Sequence, residues 1–314
     1  MTNDTGLAQD EADVLADSSP AGLAKPISGV ATRNSTIEIE ALRERAKQTR
    51  ATCLAMSFLA REGHLTSALS CVDILVALYS GRLNVSPQNP RDADRDRFLF
   101  SKGHAASAFY VVLAQAGFLP FAELATYGKS GSRLPSHPCK LMLPPLEISS
   151  GSLGHGLGMG TGMMYGMDLA GRRGRVVVLM SDGECNEGSV WEAAAFACAH
   201  RQERLIAIVD NNNMQAVGRT NQLMGDATFE DKFQAFGWGV RTIDGNDIAA
   251  VLDAVDEAPF QPGRPSAIIA KTVGGAGVSF MANDTAWHYK VPSADELRLA
   301  LAELGAAPLI EVPA

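Results

Sequence analysis

The stretch "VVVLMSDGECNEGSVWEAAAFACAHRQERLIAIVDNNNMQ", residues 176–215, decides the fold. Its two ends are unbroken apolar runs, and its middle is an Ala-rich segment of helical character. It reads as strand, turn, helix, strand. Strands that carry no alternating polar residues are buried on both faces, which is the mark of a parallel sheet covered by helices. Asp182 stands just past the first strand, and Asn211, Asn212 and Asn213 stand at the end of the second. In open parallel sheets ligands bind beyond the carboxyl ends of the strands, so the acid and the amides face one end together. A carboxylate, an amide carbonyl and a nearby backbone carbonyl are hard oxygen donors suited to Mg²⁺ or Ca²⁺. Mg²⁺ takes few protein ligands and completes its shell with phosphate oxygens, so this pattern points to a metal–diphosphate rather than a bare metal. Gly183 lets backbone approach such a ligand closely. Ser189 and Glu192 have capping-box spacing, and a helix starting near 190 would turn its positive end toward the anion. The plainer reading makes Asp182 a turn cap and the three Asn a loop. It accounts for each feature alone better than for the two together.

Outward from this stretch, strands and helices alternate. "RDRFLFSKGH" reads as a short strand entering a turn. "RVVVLMS", "RLIAIVDN", "GWGVRTI" and "PSAIIAKT" read as further strands, with helices near 189–201, 228–236, 246–257 and 293–304. Residues 36–61 carry a helical period, with Ile37, Leu42, Ala46, Cys53, Met56 and Leu59 inward. "CVDILVALYSG" and "AASAFYVVLAQAG" are helical. Residues 130–150 are Pro-rich and irregular, and a loop that long in a compact domain is more often functional than idle. The glycines of "GSLGHGLGMGTGMMYGMDLAG" resemble a dinucleotide fingerprint, but no strand precedes them. The segment after Gly154 reads instead as a small-residue helix packed close to its neighbours. The expected fold is α/β, one parallel sheet with helices on both faces, over residues 35–314. Residues 1–34, rich in Asp, Ser, Ala, Gly and Pro, read as a flexible tail.

The 314 residues include 46% hydrophobic and 20% charged positions, the composition of an ordinary globular chain. A net charge of −8 gives no reason to expect nucleic acid or an anionic membrane surface. No apolar run approaches a membrane span, and the N-terminus lacks the basic and apolar regions of a signal peptide. The five cysteines are scattered without metal or redox spacing, so they are expected to be buried, reduced thiols of a cytoplasmic protein.

"SDGECNEGSVWEAAAFACAHRQERLIAIVDNNNMQ" resembles the thiamine diphosphate motif, and "EGSVWEAAAFA…LIAIVDNN" resembles the transketolase family more narrowly. The likeness extends over residues 37–305 through "REGHLTSALSCVDILVALY", "RDRFLFSKGHAASAFY", "GSLGHGLGMGTGM", "DGNDIAAV" and "AKTVGGAGVSF…WHYK". It implies that Asp182, Asn212 and the carbonyl of Met214 hold Mg²⁺, for which Ca²⁺ or Mn²⁺ can substitute. It implies that Gly183, His104 and His288 meet the diphosphate, and that Gly151 and Leu153 offer backbone to the aminopyrimidine. His64 and His137 would face the sugar hydroxyls and reacting carbons, with His288 beside them. Imidazoles suit proton transfer to sugar oxygens because their pKa lies near neutrality. Glu187 and Glu192 would lie at a subunit contact. His200, at a helix end beside Arg201, reads as solvated. The sequence departs from the family at Ser181, where Gly is usual, at Asn246, where His is common, and at Ser152 and His155, where Pro and Gln are common. These leave the cofactor in place and bear on substrate preference.

Transketolases are roughly twice as long. Their second half holds the pyrimidine-binding and C-terminal domains, and with them the Glu that helps form the thiazolium ylid. The resemblance therefore implies a split enzyme. This chain would be the N-terminal subunit, and a separate C-terminal subunit would carry the pyrimidine-binding domain, with two copies of each. The pair would pass a two-carbon glycolaldehyde unit from a ketose phosphate to an aldose. An alternative keeps the cofactor and passes the two-carbon unit to a lipoyl or carrier-protein thiol. A third makes the chain a binding subunit without chemistry.

Overall fold

A computed structural model describes residues 36–312. The tail expected over 1–34 lies outside the described residues, as does the side chain of Ile37. The five apolar runs form five strands: β1 Arg97–Phe100, β2 Val176–Ser181, β3 Leu205–Asn211, β4 Gly239–Asp244 and β5 Ser266–Lys271. All pair in parallel, in the order β1-β2-β3-β5-β4. Ser181 pairs with Asp210 in register, so β2 and β3 end at nearly the same level. That shared level places Asp182 beside the Asn triplet.

The helices are α1 Thr36–Ala60, α2 Leu65–Ser70, α3 Val72–Ala77, α4 Ala106–Gln115 and α5 Gly156–Leu169. They continue with α6 Gly188–Ala199, α7 Thr220–Met224, α8 Phe229–Ala235, α9 Ile248–Asp256 and α10 Ala294–Leu304. Strand residues alternate between two cores, because successive side chains point to opposite faces. Val177, Leu179, Ile206, Ile208 and Ile268 pack with Leu54, Leu75 and Val251 on one face. Val176, Val178, Met180, Leu205, Ala207 and Val209 pack with Leu157, Met164, Val190 and Phe233 on the other. Two buried faces account for the unbroken apolar runs.

In α5, Gly160 lies against β2. A Cβ there would come within 2.7 Å of the Val178 side chain, so the helix sits closer to the sheet than any larger residue allows. Residues 127–155 contain only turns and bends, as the prolines predict.

Three expectations need correction. Ser189 does not cap α6. Its N-cap position is Glu187, no side-chain cap forms, and the Ser189 hydroxyl donates instead to the Gly154 carbonyl at 2.8 Å. Ser189 falls inside the first turn, out of reach of the geometry a cap requires. The capping box belongs to α10, where Ser293 and Glu296 satisfy each other's backbone N–H groups. The cysteines are all free, but only Cys53, Cys71 and Cys185 are buried; Cys139 in the Pro-rich segment and Cys198 near the end of α6 are partly exposed. The period over 71–81 does not make one α-helix: α3 stops at Ala77 and runs into a five-residue π-turn through Arg82. Among the described residues no helix is long and apolar enough to cross a membrane.

Candidate active site

Four histidines reach one cavity from four separate parts of the chain. His64 precedes α2 with a left-handed backbone, φ 66°. This turn lets its N–H bond the His288 carbonyl at 2.7 Å. His104 lies in the turn after β1, His137 in the Pro-rich segment, and His288 in a short 3₁₀ turn beyond β5. The His64 ring centroid is 5.2 Å from that of His288, 5.8 Å from His104 and 6.0 Å from His137.

The cavity, about 280 Å³, is lined by these four rings and by Gly151, Leu153, Asp182, Gly183, Asn212 and Met214. All ten residues that the resemblance assigns to metal, cofactor or proton transfer therefore meet in one place. Ser67, Ser181, Gln215, Ala216 and Tyr289 complete the lining. Of these, sequence reading singles out only Ser181, and as a departure; the others carry no pattern of their own. A Cβ on Gly183 would stand 3.1 Å from the Gln215 side chain, so glycine keeps that wall open.

Burial sets the electrostatics. It lowers the pKa of His64 to about 4, with His288 and His137 adding repulsion. Burial also lowers His104 well below its ordinary value, and His137 and His288 below theirs. The four rings are thus neutral near pH 7, each able to donate at one nitrogen and accept at the other. Asp182 is 1% exposed. Burial raises its pKa to about 6, although a hydrogen bond from Thr220 works against the rise and Asp210 adds to it. Its oxygens accept from the Gly183 N–H and the Thr220 hydroxyl, both at 2.8 Å. Asp182 therefore caps the turn after β2, as the plainer reading has it, and also faces the cavity.

A cation would relieve this desolvated carboxylate. The Asn212 side-chain oxygen lies in the same cavity and accepts from the Met214 N–H at 2.9 Å, which brings the 212–214 backbone around the same point. One carboxylate, one amide and one carbonyl fit a Mg²⁺ ion that takes its remaining oxygens from a phosphate ligand. Among the described residues, no group of three or more His, Cys, Asp and Glu side chains forms a self-sufficient metal site.

Of the four departures, only Ser181 lines this cavity. The Ser181 hydroxyl accepts from the Glu184 N–H at 3.2 Å. Asn246 donates to Asp73 at 2.9 Å and to the Ser70 carbonyl at 3.1 Å, and accepts from the Val273 N–H at 2.8 Å, outside the lining. Ser152 and His155 are exposed, as are Glu187, Glu192 and His200. A larger cleft of about 560 Å³ shares Asn212 with the cavity and holds Arg219, Lys232 and Lys271, but none of the four histidines.

Residues 43–314 match the family described as transketolase, thiamine diphosphate binding domain. A subunit of the apulose-4-phosphate transketolase of Actinobacillus succinogenes is 42% identical over 243 residues, which cover 77% of this chain and 87% of that protein. A 6-deoxy-6-sulfo-D-fructose transketolase subunit of a Clostridium species is 36% identical over 77% of this chain and 88% of that one. Among solved structures, the transketolase of Campylobacter jejuni aligns with a TM-score of 0.80 and 28% identity, over 86% of this chain. The chain spans only 44% of that enzyme's length. The match along residues 43–314 and the likeness to these relatives make this chain a member of the transketolase family, built on its thiamine diphosphate-binding domain.

Proposed function

We propose that this chain is the cofactor-binding subunit of a two-chain transketolase, which moves a glycolaldehyde unit from a ketose phosphate to an aldose. The observation that carries the reading is the single cavity holding Asp182, Asn212 and four neutral imidazoles. Two relatives of similar length are themselves named as transketolase subunits. Their names support a second, separate chain, here taken to carry the pyrimidine-binding domain, with two copies of each. Asp182, Asn212 and the Met214 carbonyl would hold Mg²⁺, or Ca²⁺ or Mn²⁺ in its place. His104 and His288 would donate to the diphosphate, beside Gly183. Gly151 and Leu153 would present backbone to the aminopyrimidine. Thiamine diphosphate, when bound, supplies the carbanion-stabilising chemistry that allows a carbon–carbon bond next to a carbonyl to break.

His64, His137 and His288 would bind the sugar hydroxyls and move their protons. A neutral ring accepts the hydroxyl proton at one nitrogen while its other N–H holds a neighbouring oxygen. The exposed Glu187 and Glu192 would lie at the contact between chains.

Affinity purification of the tagged chain from its native cells, with Mg²⁺ and thiamine diphosphate present, tests this. The expected result is a stoichiometric second chain and two-carbon transfer that requires both. Turnover by this chain alone would refute the split enzyme. An acylated lipoyl or carrier thiol without an aldose product would refute the sugar acceptor.

A further inference from the structure

Lys102 and Asp210 form an ion pair with both side chains 0% exposed, outside the cavity lining but bonded to Ser67, which belongs to it. Burial works to lower the Lys102 pKa, yet the Asp210 carboxylate more than offsets it, and the ammonium stays charged. A pair so enclosed is a weak source of stability, because desolvation cancels most of the attraction. Its contacts point to a different role. The Lys102 ammonium also donates to the Ser67 carbonyl at 3.0 Å, and the Ser67 hydroxyl lies 2.7 Å from His104 Nε2. Asp210 accepts from the Ser70 hydroxyl at 2.6 Å and from the Thr272 hydroxyl. Ser70 in turn accepts from the Asn212 Nδ2 at 3.2 Å.

One arm of the pair therefore ends on a ring that faces the cavity, and the other on the Asn212 amide. With its nitrogen committed to Ser70, that amide turns its oxygen toward the Met214 N–H and the cavity. Without Ser70 the amide keeps only the Met214 N–H to hold it, so its oxygen is less firmly aimed at the point where a cation would bind.

We propose that Lys102 and Asp210 are positioning residues that hold the diphosphate ligand His104 and the metal ligand Asn212 in register before the cofactor arrives. This rests on the proposed thiamine diphosphate site. The pair touches neither ligand itself; it acts through Ser67 and Ser70.

Calorimetric titration of the full chain with Mg²⁺ at saturating thiamine diphosphate, and with thiamine diphosphate at saturating Mg²⁺, tests the proposal. Lys102→Met combined with Asp210→Leu removes both charges together, the replacement that buried pairs tolerate best. It is expected to keep the wild-type melting temperature while each affinity falls at least tenfold. Ser70→Ala is expected to weaken Mg²⁺ severalfold with little effect on thiamine diphosphate, and Ser67→Ala to do the reverse. These single variants leave the ion pair in place, so they read the two arms even if the double variant unfolds. Wild-type affinities in a folded double variant, or equal losses of both ligands in the two serine variants, would overturn the proposal alone. Failure of the wild-type chain to bind thiamine diphosphate with Mg²⁺ would overturn the cofactor site beneath it.

Discussion

Asp182 holds a charge the rest of the molecule does not want. Its oxygens meet two neutral donors, and burial lifts its pKa from the ordinary 3.8 to about 6. The unfolded chain loses that proton near 3.8, so between 3.8 and about 6 the folded state binds more protons and stability falls as pH rises. Above about 6 the full penalty is present. Asp182→Asn is therefore expected to stabilise the ligand-free protein by roughly 3 kcal/mol at pH 7. The gain should vanish below about pH 4, and Mg²⁺ binding should be lost. Urea unfolding at stepped pH measures the first effect and metal titration the second. His64 works in the opposite sense: its pKa falls from 6.5 to about 4, so its contribution is full above 6.5 and is lost as pH drops through that window. Asp182 is legible in the sequence because it stands at the same sheet end as the Asn triplet; alone it would read as the turn cap it also is. Lys102 is not, although "SKGH" contains it, because nothing in a sequence distinguishes a lysine that goes inward from one that meets solvent.

Among the elements, those made by long apolar runs are readable and the short ones are not. All five strands lie where the runs place them. The helices α2 and α7, six and five residues long, are too short to display a period. The cap expected at Ser189 fails for a related reason: capping-box spacing relates two residues in sequence but does not fix which residue is the first helical one. The small-residue reading of α5 has a definite physical content at Gly160. Gly160→Ala pushes a methyl into Val178 and is expected to cost about 1–3 kcal/mol, as overpacking does. Thermal unfolding reads the loss, and an unchanged midpoint would mean that α5 can move away from β2 freely.

For the molecule as a whole, the site is a property of topology. His64, His104, His137 and His288 are separated by long segments, and no spacing rule relates them. Only the parallel sheet and the turns at its carboxyl edge bring the other three rings within about 6 Å of His64. A ligand that binds this assembled site and not the unfolded chain must stabilise all of it. Thiamine diphosphate at a hundred times its dissociation constant, with Mg²⁺ held saturating, should add about 2.7 kcal/mol over the Mg²⁺-bound protein. Scanning calorimetry should show the added stability disappearing when a chelator removes the metal. The end of β3 carries a further consequence. Asp210 turns down into the buried ion pair, Asn211 lines the outer cleft, and Asn212 turns back to the histidine cavity. Adjacent letters thus face opposite ways: the pleat turns Asp210 and Asn212 toward Ser70 on one side and Asn211 toward the other. A single codon inserted or deleted within β3 would readdress every one of them at once. Changes in length are therefore admissible only in the loop that follows, and the spacing from Leu205 to Asn212 behaves as a reading frame written in space.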